Sequence, residues 1–217
     1  LMLESTSIAT NPWMNNSSYD PRTAFIPSIL IAAVPLVLVV NNNVNAQNAK
    51  EFIALTKATP GKINYASWGN GSIGQFAGEI FKISTKTDIT HVPYKSTAQA
   101  LSDTLAGQVD AMFPTLPLVL QQLGAGKIRA LALASSVRSP LAPEIPTMAE
   151  VGVPGVEVET WFGIFLPAGT PDNIVDKINQ TTQSILNTPS VRAQLEKQGF
   201  RIIGGSRADF SKYYLSE

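Results

Sequence analysis

Apolar positions along this chain fall into two recurring patterns: short runs rich in Val, Ile and Leu, and longer stretches with apolar residues three or four apart. The first pattern marks strands, the second helices with one buried face. Their alternation predicts an α/β fold with largely parallel sheets. The longest apolar run, Phe25 to Val40, contains Pro27 and Pro35. It falls short of the ~20 apolar residues that span a bilayer, so it reads as a buried strand broken at Pro35. A polar turn over 41–45 follows, and Asn45 is placed to cap a helix from Ala46 to about Thr59, ended by Pro60-Gly61.

A strand ending at Ser67 and a helix from Ser72 to Lys82 come next, and Ser96-Thr97 opens another helix stopped by Gly107. Residues 108–113 read as a strand, Pro117 to Leu123 as a short helix, and Ile128 to Ala134 as a further strand. From Ser135 to Gly155 the composition shifts towards Pro, Ser and Glu, with one short helix around Thr147 to Val151. A second long apolar strand runs from Val156 to Leu166. Beyond it lie a helix with Pro171 at its first turn, a helix from Pro189 to Gly199, and a last helix, Arg207 to Leu215, capped by Ser206 and Asp209. The two long strands, Ile29–Val40 and Val156–Leu166, bracket a compact α/β block. That suits a two-lobed protein with residues 1–40 and 163–217 in one lobe and 41–162 in the other. A single domain with two central strands fits the same pattern.

Composition narrows the chemistry. The 16 basic residues balance the 16 acidic ones and form no block, so the footprint of a nucleic-acid binder is missing. With no Cys there are no disulfides, thiolate metal sites or cysteine nucleophiles, which suits the periplasm and the cytosol alike. His91 is the single histidine, so a multi-histidine metal site or a Ser-His pair would rest on it alone. Its place between Thr90 and Val92 favours a packed structural histidine. Leu1-Met2-Leu3 carries no charged leader and reads as a strand already inside a domain, as though the chain begins partway through its fold.

The candidate chemistry lies in residues 62–79, a strand, a turn of small residues and the start of a helix. Such a turn leaves N–H groups free where the helix macrodipole favours an anion, a seat for a carboxylate or phosphate. Gly69, Gly71 and Gly74 also fit the dinucleotide fingerprint G-x-G-x-x-G, so a nucleotide-dependent α/β enzyme is the alternative. That fingerprint asks for an acid at the far end of the next strand. Asp88 precedes that strand instead, and Tyr94, Lys95 and Ser96 follow it. Trp68 is also bulky for a loop lying against a pyrophosphate. A tight turn with no ligand is the plainest alternative.

Several stretches together carry a family signature: Asn64-Tyr65-Ala66-Ser67 with Gly69-Asn70-Gly71-Ser72, His91-Val92-Pro93-Tyr94-Lys95, and Gly107 to Phe113. Gly126 to Ala132, Pro146 to Glu150, Gly152 to Gly155, Trp161-Phe162-Gly163 and Pro167 to Pro171 continue it in order. The chain resembles the Bug receptors, periplasmic substrate-binding proteins of tripartite tricarboxylate transporter systems. The resemblance implies a two-lobed, type II periplasmic-binding-protein fold, each lobe a mostly parallel sheet flanked by helices. It implies a small carboxylate held in an interlobe cleft and delivered to the membrane components of the transporter, with no catalysis, no cofactor and a periplasmic location. The signal peptide is not in this chain, and the family's earlier strand–helix–strand region with its Gly-rich ligand loop is absent from it. Trp68 and Pro114 stand where small or polar residues are common in relatives.

Carried over, the resemblance makes Ser67, Gly69, Asn70, Gly71, Ser72 and Gln75 the anion seat of the second lobe. Tyr94, Lys95 and Ser96 follow the neighbouring strand, and Phe113 and Thr115 close the pocket floor. Ser5, Thr6 and Ser7 come from the first lobe, and Thr160, Trp161 and Phe162 lie near the crossover. Lys95 reads equally as a solvated charge, Phe113, Trp161 and Phe162 as core, and Ser5–Ser7 as a helix cap.

Overall fold

The computed structural model describes Met2–Ser5, Ile8 and Tyr19–Glu217. The long apolar run forms two strands, β2 (Phe25–Pro35) and β3 (Val37–Asn41). Pro35 has no N–H for a continuous ladder, and Leu36 makes an isolated bridge to Thr115 between them. The chain divides at this point and again after Glu159 into two compact units, Leu1–Val34 with Thr160–Glu217, and Pro35–Glu159.

In the first unit β1 (Met2–Ser5), β8 (Glu159–Pro167), β2 and β9 (Arg201–Ile202) form one sheet in that order. β1 pairs antiparallel with β8, and β2 antiparallel with β9. A single helical turn, α1 (Pro21–Ala24), precedes β2. The apolar cluster holds Ile8, Leu30, Ala33, Trp161, Phe165, Phe210 and Tyr214, the last two from α8 (Arg207–Ser216). α6 (Asp172–Leu186) is fastened to β2 through Ser28 Oγ, which donates to Val175 O at 3.2 Å, and Asn179, which donates to Ser28 O at 2.8 Å. α7 (Pro189–Lys197) follows it. Ser206 and Asp209 form the expected capping box of α8.

The second unit has the strand order β5-β4-β6-β3-β7, with β4 (Asn64–Ser67), β5 (Thr90–Pro93), β6 (Ala111–Met112) and β7 (Ile128–Leu133). β4 runs parallel to β5 and β6, whereas β3 runs antiparallel to β6 and β7. Both units therefore contain antiparallel pairs, and the α/β architecture is one of mixed sheets, not mostly parallel ones. Crossover helices join β4, β5 and β6 in a common direction, while β3 lies between β6 and β7 and runs opposite to both.

Period-two alternation sorts the side chains of β3. Leu36, Leu38 and Val40 face one cluster, and Val37 and Val39 face the other. A strand buried on both faces must be apolar throughout, which accounts for the unbroken run. α2 (Ala49–Ala58) and α3 (Ile73–Thr85) cover the first face through Phe52, Ala77 and Phe81. α4 (Thr97–Leu105) and α5 (Leu116–Gly124) cover the second through Ala100, Leu101, Leu116 and Val119. Among the described residues no helix is long and apolar enough to cross a membrane.

Four local expectations change. α2 is capped by Asn48, not Asn45, because Val44 and Ala46 are drawn into the core and Glu51 binds the Asn48 side chain and the Gln47 N–H. The strand expected over 108–113 shrinks to Ala111–Met112. Asp110 instead exchanges side-chain and backbone bonds with Asn64, at 2.8 and 2.9 Å. Residues 147–151 form a turn, not a helix, because Thr147 bridges to Leu133 and Glu150 closes on the Thr147 N–H. The second long strand begins at Glu159, and Val158 makes single bonds to Leu36 and Ala134, the residues flanking β3 and β7.

α3 lies unusually close to β4. A Cβ on Gly78 would collide with the Tyr65 ring, and one on Gly74 would come within 2.7 Å of the Trp68 ring. At Gly124, the end of α5, an added methyl group would meet nothing within 4 Å. Helix propensity alone favours Ala over Gly by about 1 kcal/mol, whereas overpacking costs about 1–3 kcal/mol. Opposite signs are expected: in urea unfolding Gly78→Ala loses up to about 2 kcal/mol net, and Gly124→Ala holds or gains a few tenths. Equal effects would mean that the α3–β4 contact is not close.

Candidate ligand-binding site

β4 and β6 are parallel neighbours, yet α3, which follows β4, covers one face of the sheet and α5, which follows β6, covers the other. At such a switch point the connections diverge and open a crevice beyond the carboxyl ends of the strands. Here its walls are the turn at 68–72 and the segment at 113–116. The topology thus singles out the Gly-rich turn independently of its sequence.

The turn is built for backbone donors. Gly69 and Gly71 have φ of +121° and +77°, values that L side chains rarely adopt. Ser72 caps α3 by accepting the Gln75 N–H at 3.3 Å, and Gln75 Oε1 reaches back to accept the Gly71 N–H at 2.7 Å. Ser72 N donates to Gly69 O at 3.2 Å and Phe76 N to Ser72 O at 3.1 Å. Among the described residues the N–H groups of Asn70, Ile73 and Gly74 donate to nothing. They sit at the positive end of the 13-residue α3, an arrangement that favours an anion. The three glycines of the dinucleotide-like pattern have other tasks: two turn the chain, and Gly74 makes room for Trp68.

Behind the turn stands a polar network. Ser67 is fully buried. Its Oγ lies 3.0 Å from Gly69 O, accepts the Gly69 N–H at 3.2 Å and lies 2.6 Å from His91 Nε2. A hydroxyl has one proton and two acceptor sites. Its one proton goes either to Gly69 O, with His91 donating from Nε2, or to His91 Nε2 itself. In both arrangements the buried hydroxyl ties the turn to His91. His91 packs on Tyr65 with ring centroids 5.1 Å apart, and Tyr65 OH donates to Glu79 at 2.7 Å. Lys82 stands 3.2 Å from Glu79. Burial pushes the His91 pKa down, with Glu79 opposing and Lys82 adding to the shift. Burial, then the bond to Glu79, pushes the Tyr65 hydroxyl up and keeps it neutral.

The structure brings Ser67, Gly69, Asn70, Gly71, Ser72 and Gln75 together in one turn. Tyr94 is tied to it, its N–H donating to Ser67 O at 2.8 Å. The Tyr94 hydroxyl is pushed up by burial and by its bond to Asp103. Lys95 is exposed, and Ser96 is spent on capping α4 through Gln99. Thr115 begins α5 without using its side chain as a cap. Phe113 is fully buried between Tyr65 and Phe81. In the other unit Trp161 is core, packed on Phe165, Phe210, Tyr213 and Tyr214. Phe162 packs edge-to-face with Phe200, and Thr160 is half-buried on β8. Ser5 ends β1 opposite Phe162, while Thr6 and Ser7 lie outside the described residues. The His91–Ser67 contact went unread in the sequence. It depends on the register that sets Tyr65 beside His91, which only the paired strands reveal. Among the described residues no three His, Cys, Asp or Glu side chains gather as a metal site.

The chain belongs to the tripartite tricarboxylate transporter family of receptors, whose family model matches residues 1–217. It is similar to the protein BugT of Bordetella pertussis, 35% identical over 186 residues, which are 86% of this chain and 57% of BugT. Among solved structures it is similar to R. palustris Rpa4515 with adipate, at 35% identity and a TM-score of 0.87 over 99% of this chain and 72% of that one. It is also similar to the periplasmic binding protein BugD, at 30% identity and a TM-score of 0.83 over 99% and 73% of the two chains. The chain thus spans little more than half the length of BugT.

The His91 geometry has a consequence for stability. The folded-state pKa lies below that of the unfolded chain, so as pH falls the unfolded chain takes up the proton first. The stability contributed by neutral His91 is whole above about pH 6.5 and is lost as pH falls through the lower folded value. Urea midpoints measured across this range should drop on the acid side in the native protein, with a smaller drop in His91→Gln. Identical profiles would show that the imidazole is not held neutral by the fold.

Proposed function

We propose that this chain is the ligand-holding part of an extracytoplasmic solute receptor, one that seats a small carboxylate at the turn before α3. It passes that ligand to the membrane components of a tripartite transporter and works in the periplasm, binding without catalysis. The observation that carries this reading is the set of free N–H groups at Asn70, Ile73 and Gly74, on a glycine turn at the switch point of the sheet. Membership of a receptor family supports it, as do the adipate in the similar Rpa4515 structure and the periplasmic setting of BugD. The division of the chain into two units supports treating residues 1–40 with 163–217, and 41–162, as the lobes of a binding protein.

A carboxylate suits this seat better than a larger anion. Trp68 lies over the first turn of α3, where its ring fills the space beside Gly74. Backbone amides recognise the carboxylate and not the rest of the molecule, so ligand identity is set by what surrounds the seat.

Gln75 offers a test with opposite signs in binding and stability. Gln75→Glu keeps an acceptor for the Gly71 N–H and adds a negative charge, which a helix N-terminus welcomes. The same charge opposes an incoming carboxylate. Thermal unfolding should show a midpoint held or raised, while calorimetric affinity for adipate falls about tenfold or more. An unchanged affinity in a folded Gln75→Glu protein would place the carboxylate elsewhere.

A further inference from the structure

His91 is a titratable group beside the seat that the binding reading leaves without a task. A single hydrogen bond, Nε2 to Ser67 Oγ at 2.6 Å, separates its ring from the hydroxyl that receives the Gly69 N–H. We propose that His91 is a positioning residue for the seat, and that carboxylate binding at the Gly69–Ser72 turn is coupled to uptake of a proton by His91. This rests on the reading of that turn as a carboxylate seat.

The coupling follows from how the network is wired. A protonated imidazole donates from both ring nitrogens, so in the cation Nε2 donates to Ser67 Oγ, that hydroxyl donates to Gly69 O, and the hydrogen bond to the turn survives protonation. What changes is charge. The groups facing the ring are Ser67 and Tyr65 from β4, and Glu79 and Lys82 from α3. Tyr65 is neutral, and the Glu79 carboxylate is already engaged by the Tyr65 hydroxyl at 2.7 Å and by Lys82 at 3.2 Å. Little negative charge is left to hold an imidazolium, and burial disfavours one. An anion on the turn supplies the missing negative charge from the other side of Ser67. Linkage is reciprocal: whatever factor the ligand adds to proton affinity at His91, the proton adds to ligand affinity. The receptor would then hold its carboxylate more firmly as its surroundings acidify. A histidine that only packed against Tyr65 would show no such reciprocity.

The single histidine makes the measurement direct, because the imidazole proton signals in the NMR spectrum belong to His91 alone. Titrated in the intact chain with and without saturating adipate, its midpoint should rise by about 0.7 unit, the shift that corresponds to about 5-fold coupling. Calorimetry near pH 6 in two buffers of different ionisation heat should report proton uptake, larger in the native chain than in His91→Gln. As pH falls below about 6.5 the native affinity should tighten progressively relative to the same comparison in His91→Gln, approaching about 5-fold once His91 is protonated in the free protein. Adipate's own protonation is common to both proteins and cancels. An unmoved midpoint with parallel affinity profiles overturns the coupling and leaves the seat intact. Absence of adipate binding at every pH overturns the carboxylate reading and the coupling with it. Should His91→Gln not fold, the native NMR titration decides alone.

Discussion

The close approach of α3 to β4 is the contact on which the rest of this unit depends. Two glycines one helical turn apart, Gly74 and Gly78, let the helix settle on the rings of Trp68 and Tyr65, where any side chain would collide. That contact fixes where α3 begins and therefore where its unpaired N–H groups lie. It also sets Glu79 on Tyr65, and Tyr65 in turn flanks His91. Loosening the helix would disturb the core cluster around Phe81 and Phe113 and the donor array together, because the same few residues serve both.

The candidate site that results would work through backbone polarity, not side-chain charge. A chain with 16 basic and 16 acidic residues and no charged block has no strong field to steer an anion. What it offers is local: oriented N–H groups at a helix end, a turn that only glycine adopts comfortably, and a buried hydroxyl strut that keeps the turn in shape. Preorganised donors lose little on binding. They also discriminate little beyond the carboxylate.

The legible parts of the chain were those set by neighbours in sequence. Ser72, Ser96 and the Ser206–Asp209 pair announced helix starts because a cap acts within three residues. The Gly69–Ser72 turn announced itself for the same reason. Tertiary contacts overrode local pattern elsewhere: Val44 and Ala46 moved the start of α2 by entering the core, Asp110 left its strand to clasp Asn64, and Thr147 exchanged a helix for a bridge to Leu133. Strand direction was likewise hidden, since nothing local to Val37–Asn41 says which way β3 runs between its partners. The polar network behind the seat depends on the β4–β5 register, so no reading of single residues reaches it.

The central claim is that the free amides of one turn hold the ligand's carboxylate, and backbone amide NMR reports on those groups one by one. Titrating adipate into the isotope-labelled chain should move the N–H signals of Asn70, Ile73 and Gly74 downfield with one common saturation curve, as hydrogen bonds to a charged acceptor form. Signals of the α2 amides, on the same face of the sheet but away from the turn, should stay in place. Saturable shifts elsewhere in the chain, with these three amides unmoved, would contradict the account.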